Sequence, residues 1–250
     1  MRAATSSILP LVLPIALMAL PALAAPGEGE EKSWSGSVSL SGGHSSGTKN
    51  SFTGRLEAGA QHDWERDRAR FNIDALYGRS DGEVDANAQK AFGDYRHNFT
   101  RRFFGYWNAE VGRDAVEEIK LRALTTLGPG YRLWLQDEKR YLDGEIGVGY
   151  LHESYLDGTD TRNSPQLRAA YEYRDLLGPQ QVLEVSHNTE VLLPLNDVEA
   201  LLVRSRISLA VPLVLEFKFK VSFDAEYQNQ PALSAEKWNT KSTFGLLYEF

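Results

Sequence analysis

Thr243-Phe244-Gly245-Leu246-Leu247-Tyr248-Glu249-Phe250 carries the reading that decides the fold. Phe244, Leu246, Tyr248 and Phe250 fall on one side of an extended chain, and Thr243, Gly245 and Glu249 on the other. Successive side chains of a β-strand point to opposite faces, so this stretch is a strand with one apolar face. The segment before it repeats the pattern. Phe217, Phe219, Val221, Phe223, Ala225 and Tyr227 oppose Lys218, Lys220, Ser222, Asp224 and Glu226.

Working back towards the N-terminus, the same period of two recurs. It appears at Val203–Val211, Leu183–Ser186, Leu167–Arg174, Leu142–Tyr150, Lys120–Leu127, Gly105–Val111, Arg70–Tyr77, Phe52–Ala60 and Trp34–Leu40, and less clearly at Ala91–Phe99. That gives twelve segments of about 9–13 residues, the length a tilted strand needs to cross a bilayer. A helical period competes only at Asp114–Leu124. The expected fold is all-β, an antiparallel transmembrane β-barrel of about 12 strands.

Composition alone hides this. The 250 residues are 42% hydrophobic and 24% charged, with a mean hydropathy of −0.38, which excludes a bundle of membrane helices. A barrel passes that test, because half of every strand is polar. The absence of Cys excludes disulfides, thiolate metal sites and thiol catalysis. A formal charge of −7 without a basic block argues against a nucleic-acid partner.

Residues 1–24 read as a signal peptide: Arg2, an apolar run from Ile8 to Leu20, and the small-x-small ending Ala22-Leu23-Ala24. Pro10, Pro14 and Pro21 break the rival membrane-anchor helix. Residues 25–32 form a short polar segment, and 33–250 the barrel. Removing Arg2 from the 27 basic residues leaves 26 against 34 acidic, a net charge of −8.

With the N-terminus on the periplasmic side, the outer loops are expected at His44–Asn50, Ser80–Gln89, Arg113–Glu118, Ser154–Asn163, Leu192–Asp197 and Gln228–Asn239. Shorter inner turns fall between them. Aromatics gather at strand ends. Trp34, Trp64, Phe99, Phe103, Phe104, Trp134 and Phe250 are expected in an inner belt; Tyr77, Tyr150, Tyr155, Tyr227 and Trp238 in an outer one. A soluble periplasmic β-protein is the rival, but its apolar face points inward and has no reason to end on aromatics.

The last eight residues also resemble the signal read by the outer-membrane barrel assembly machinery. That signal has a polar residue (Thr243), a glycine two positions on (Gly245), a hydrophobic residue third from the end (Tyr248) and a terminal aromatic (Phe250). Gly42-Gly-His-Ser-Ser-Gly47-Thr-Lys-Asn50, Leu127-Gly-Pro-Gly130-Tyr131-Arg-Leu133 and the C-terminal strand resemble the bacterial salt-induced outer membrane proteins, domain-of-unknown-function family 481. The resemblance runs from Trp34 to Phe250. It implies an outer-membrane barrel and lends no settled activity.

Candidate chemistry is sparse. His44 and His152 fall at outer strand ends, with Ser154, Asp157 and Asp160 following His152. A barrel hydrolase would place its site there, yet no nucleophile motif is present. Asp157 with Asp160, and Asp81 with Glu83 and Asp85, are acidic enough for Ca²⁺ or for lipopolysaccharide bridged by divalent cations, but lack EF-hand spacing. No catalytic residue, cofactor or metal site is assigned.

The inward face is the distinctive set. Arg55, Glu57, Arg70, Asp74, Glu172, Glu184, Arg204, Arg206, Lys218, Lys220 and Asp224 form its charge cluster, joined by Glu110, Lys120, Arg122, Asp143, Glu145, Arg168 and Glu226. Glu184, Arg204 with Arg206, and Lys218 with Lys220 are expected side by side on neighbouring strands. Such charges in a water-poor lumen must pair. They form either a narrow charge-selective pore for small solutes or a salt-bridged plug.

The sequence thus reads as a non-enzymatic protein of the cell outer membrane, with a role in envelope integrity or osmotic and salt adaptation. Its expected partners are outer-membrane lipids and lipopolysaccharide, the assembly machinery, and small solutes.

Overall fold

The computed structural model describes residues 34–45, 51–137, 139–156, 158, 161–179, 181–230 and 237–250. The expected leader, the polar segment that follows it, the tip of the first hairpin, Asp157 and Asp160 lie outside these residues, as does the side chain of His44.

Twelve strands follow in order: β1 Trp34–Ser45, β2 Ser51–Asp63, β3 Asp67–Ser80, β4 Glu83–Asn98, β5 Phe103–Asp114, β6 Ile119–Asp137, β7 Arg140–Tyr155, β8 Arg162–Leu177, β9 Leu183–Pro194, β10 Leu202–Val214, β11 Phe217–Gln228 and β12 Trp238–Glu249. Each pairs antiparallel with its sequence neighbours, and β1 pairs with β12, so the sheet closes on itself. Closure leaves no unpaired edge, the condition for a β structure to stand in lipid. Every strand has at least 12 residues, more than the ~9–11 a tilted strand needs to span.

The seam is made by the strand on which the sequence reading began. Ser37 faces Glu249 and Gly42 faces Phe244, and Gly36 and Phe250 exchange backbone hydrogen bonds of 2.9 and 3.0 Å. A Cβ on Gly245 would collide with the Leu40 carbonyl oxygen and the Ser41 backbone. Only glycine lets β12 lie this close to β1.

The faces are inverted relative to a soluble barrel. Leu40, Phe71, Trp107, Ile146, Phe223 and Leu246 are exposed on the outer wall, while Arg55, Asp94, Arg96, Asp143 and Glu153 are buried inside. Two aromatic bands stand exposed at the strand ends, with Trp34, Trp64, Phe99, Phe103 and Phe250 at one and Tyr77, Tyr150 and Trp238 at the other.

Some local expectations change. Phe104 is fully buried and Tyr155 hydrogen-bonds Glu153 at 3.1 Å, so both face the lumen rather than a belt. They share the parity of the inward residues Tyr106 and Glu153. The outer loop expected at Ser80–Gln89 shrinks to Asp81-Gly82, whose φ angles of 50° and 88° form a two-residue hairpin. Strand pairing resumes at Glu83. Finally, a register shift between Ile119 and Leu121 turns Lys120 out of the inward set.

Candidate functional site

The lumen is the site, and its polar lining follows from strand alternation. Closure then adds what alternation cannot: it brings strands remote in sequence within reach of one another. Long arginine side chains use that reach.

Three groups of ion pairs fill the interior. In the first, Arg55 on β2 pairs with Asp74 of β3 and reaches Asp224 of β11 at 2.6 Å. Arg206 of β10 pairs with Asp224 and lies 2.9 Å from Glu57, which also takes Lys220 at 2.6 Å. In the second, Arg70 of β3 holds Asp94 at 2.9 Å and Glu172 of β8 at 3.1 Å. Arg96 pairs with Asp143 and, at 2.9 Å, with Glu145. In the third, Arg168 bridges Glu145 at 2.7 Å and Glu190, and Arg204 joins Glu190 at 3.1 Å to Glu110 of β5 at 2.9 Å. Towards the end that holds the chain's first and last strand residues, Lys218 lies 2.8 Å from Glu184.

Two of these links cross the barrel, and Arg206 of β10 adds a third, 3.5 Å from Asp74 of β3. β3 and β8 are five strands apart around the wall, as are β5 and β10, close to the maximum of six that twelve strands allow. Arg70–Glu172 and Arg204–Glu110 therefore tie nearly opposite walls together. Removing one partner of a buried pair costs roughly 3–5 kcal/mol where the charge left behind has no other partner. Here each arginine also holds a second carboxylate.

The filling is uneven. On the β4–β8 side Arg96, Phe104, Thr126, Asp143 and Gln166 are at most 2% exposed, and Arg96 stacks on the Phe104 ring at 4.0 Å. Gly130 makes room for that ring, because a Cβ there would overlap it. On the opposite side Arg206 is 32% and Asp224 23% exposed. Near the other end of the barrel, Leu124, Leu151 and Leu192 form a buried apolar cluster with Leu202 packed against it.

All eleven residues of the expected charge cluster lie on the inward face. Of the residues expected side by side, Glu184 does meet Lys218, at 2.8 Å, but Arg204 and Arg206 stand apart from the two lysines. The register sets Arg204 opposite Glu226 and Glu190, and Arg206 opposite Asp224, with Lys218 and Lys220 further along beside Pro212 and Ala210. Asp94, Arg96, Glu153 and Glu190 join the expected set on the inward face. Asp94 and Arg96 alternate with the outward Gly93 and Tyr95, which is the signal that places them inside.

Loop chemistry does not assemble at the positions singled out. His152 meets Asn163 Oδ1 at 2.8 Å, and among the described residues no hydrogen bond joins it to Ser154. A histidine–serine contact occurs elsewhere: His187 Nε2 lies 3.0 Å from Ser205 Oγ, with Tyr171 OH 2.9 Å from Nδ1. These groups stand on the outward face of β8–β10, where they satisfy one another. Among the described residues no group of three His, Asp or Glu side chains is arranged to hold a metal ion. At the β5–β6 turn, burial and then Glu226 push the Glu117 carboxyl above its ordinary range, and Arg122 pulls it back only in part.

A closed antiparallel barrel with an apolar outer wall, aromatic bands and a charged lumen is the fold of outer-membrane β-barrels. Two solved structures share it. One is the translocator domain of the autotransporter NalP from Neisseria meningitidis, with a TM-score of 0.50 and 11% identity over 89% of this chain and 90% of that one. The other is the NanC porin, with a TM-score of 0.53 and 10% identity over 84% of this chain and 98% of that one. No curated protein matches the sequence. The chain belongs to the family described as proteins of unknown function, DUF481, whose pattern matches residues 38–250. This is the family that the first hairpin, the mid-chain glycines and the C-terminal strand resembled.

Proposed function

We propose that the protein is an integral, non-enzymatic component of the outer membrane, whose braced barrel serves envelope integrity and osmotic or salt adaptation. The observation that carries this reading is the pair of cross-lumen ion pairs, Arg70–Glu172 and Arg204–Glu110. A general diffusion pore keeps its centre open, whereas here opposite walls are joined through it. Bracing of this kind resists deformation of the barrel when the envelope is under osmotic load.

The exposure of Arg206 and Asp224 supports a restricted path for ions and small solutes past β10 and β11. Outer-membrane lipids and lipopolysaccharide contact the apolar wall, and the C-terminal strand serves the assembly machinery. Nucleic acid is not a partner.

Planar-bilayer recording tests the reading. The expected result is a conductance far below that of an open porin, rising when Arg204 and Glu110 are both changed to Ser. Wild-type conductance at the level of an open porin overturns the braced lumen, and recovery of the protein from the periplasm without detergent overturns the membrane assignment.

A further inference from the structure

A second cluster stands on the outside of the barrel. The β2–β3 turn contributes Trp64, Glu65 and Arg66, and the adjoining ends of β3 and β4 contribute Asp67, Tyr95 and His97. Together they line an open depression of about 530 Å³. Tyr95 OH donates to Asp67 Oδ1 at 2.7 Å, and His97 Nδ1 lies 2.7 Å from the same oxygen. A carboxylate only accepts, so this bond places the histidine proton on Nδ1. The Asp67 carboxylate is thereby pinned through one oxygen, while Oδ2 has no donor among the described residues. Arg66 likewise makes no ion pair among them.

The wall beside the depression is recessed. On the outward face of β4, Gly93 lies between Phe71 of β3 and Ala109 of β5, and a Cβ on Gly93 would meet nothing within 4 Å. Phe71 and Trp107 stand exposed nearby, leaving a shallow trough on the lipid-facing wall.

We propose that this is a binding site for an amino-headgroup phospholipid of the periplasmic leaflet. The headgroup ammonium donates to Asp67 Oδ2 beside the Trp64 ring, the phosphate meets Arg66, and one acyl chain lies in the trough over Gly93. A fixed carboxylate, an uncommitted guanidinium and an aromatic face within one depression match a zwitterion that carries both charges. A quaternary ammonium cannot donate to Asp67, and an anionic headgroup without an amine is repelled by it. The proposal rests on the reading that this end of the barrel meets the periplasmic leaflet. It does not depend on whether the lumen conducts.

Native mass spectrometry of the folded, full-length protein in detergent tests it, with phosphatidylethanolamine, phosphatidylcholine and phosphatidylglycerol of equal chain length as probes. Phosphatidylethanolamine is expected to bind about tenfold more tightly than the other two, the size of one charge-assisted hydrogen bond. Asp67→Asn is expected to erase that preference. Gly93→Leu, which fills the trough, is expected to weaken the lipid but not glycerophosphoethanolamine. Heat-modifiable gel migration confirms that each variant is folded. Equal binding of the three lipids, an unchanged preference in Asp67→Asn, or glycerophosphoethanolamine binding as tightly as the lipid overturns the proposal. Failure of the membrane assignment shows separately, as protein that needs no detergent.

Discussion

Arg204 on β10 and Glu110 on β5 meet across the lumen, Nη1 to Oε2 at 2.9 Å, although 94 residues and five strands separate them. Arg204 also reaches Glu190, so one guanidinium pairs with two carboxylates from different walls. That arrangement makes the interior a set of struts rather than a lining.

Arg204→Ala is therefore expected to destabilise the barrel by roughly 3–5 kcal/mol, because Glu110 loses its ion-pair partner while Glu190 keeps only Arg168. Arg204→Met with Glu110→Leu is expected to recover most of that loss, since no unpaired charge remains at Glu110. Thermal unfolding in detergent, followed by gel migration, measures both. Equal loss in the single and double variants would show that the strut contributes only packing.

The apolar cluster of Leu124, Leu151 and Leu192 sits where solutes would enter or leave. Hydrophobic constrictions oppose water entry and gate by dewetting. Leu192→Asn, at a position 3% exposed, is expected to raise single-channel conductance or open probability several-fold. Unchanged recordings in a folded variant would place the barrier elsewhere.

Gly245→Leu is expected to prevent closure of the β1–β12 seam, because its side chain would occupy the space of the Leu40 carbonyl and Ser41. The measurement is the folded fraction on a semi-native gel after refolding into detergent, expected to fall to a small residue. Phe244→Leu on the same strand faces outward and is expected to fold normally, which separates a seam effect from a general strand effect.

Glu117 predicts a pH dependence of definite sign. Its folded carboxyl titrates above the ordinary range, chiefly because it is buried and then because Glu226 is near. The folded state thus holds the Glu117 proton more tightly than the unfolded state. The associated stability is present at low pH and is lost as pH rises through the raised value. Glu117→Gln is expected to melt at a higher temperature than wild type at pH 8, with the gain shrinking at pH 4. A gain that grows on acidification would contradict this assignment.

Period-two alternation is a local property, and it was enough to specify twelve strands, which face of each is apolar, and the membrane-barrel class. That the C-terminal strand closes the seam, where position 245 has no room for a Cβ, came only from the closed structure. Where local reading failed, a different constraint governed. Phe104 and Tyr155 were assigned by residue type to aromatic belts, but strand parity turned them inward. The turn-forming residues of Ser80–Gln89 predict a long loop, yet Asp81-Gly82 closes a two-residue turn.

The partners within the lumen were beyond the sequence. Each inward charge was legible from alternation, but its counter-charge depends on strand tilt and on closure, which bring β3 near β8 and β5 near β10. Of the expected row of Glu184, Arg204 with Arg206, and Lys218 with Lys220, Glu184 and Lys218 meet, but antiparallel register sets the arginines at a different height, beside Glu226, Glu190 and Asp224. Sequence alone determined that the interior is charged and the exterior apolar, because side-chain direction repeats every two residues. Only the closed tertiary structure decided which charges meet, because an arginine's reach across the lumen depends on where the opposite wall stands.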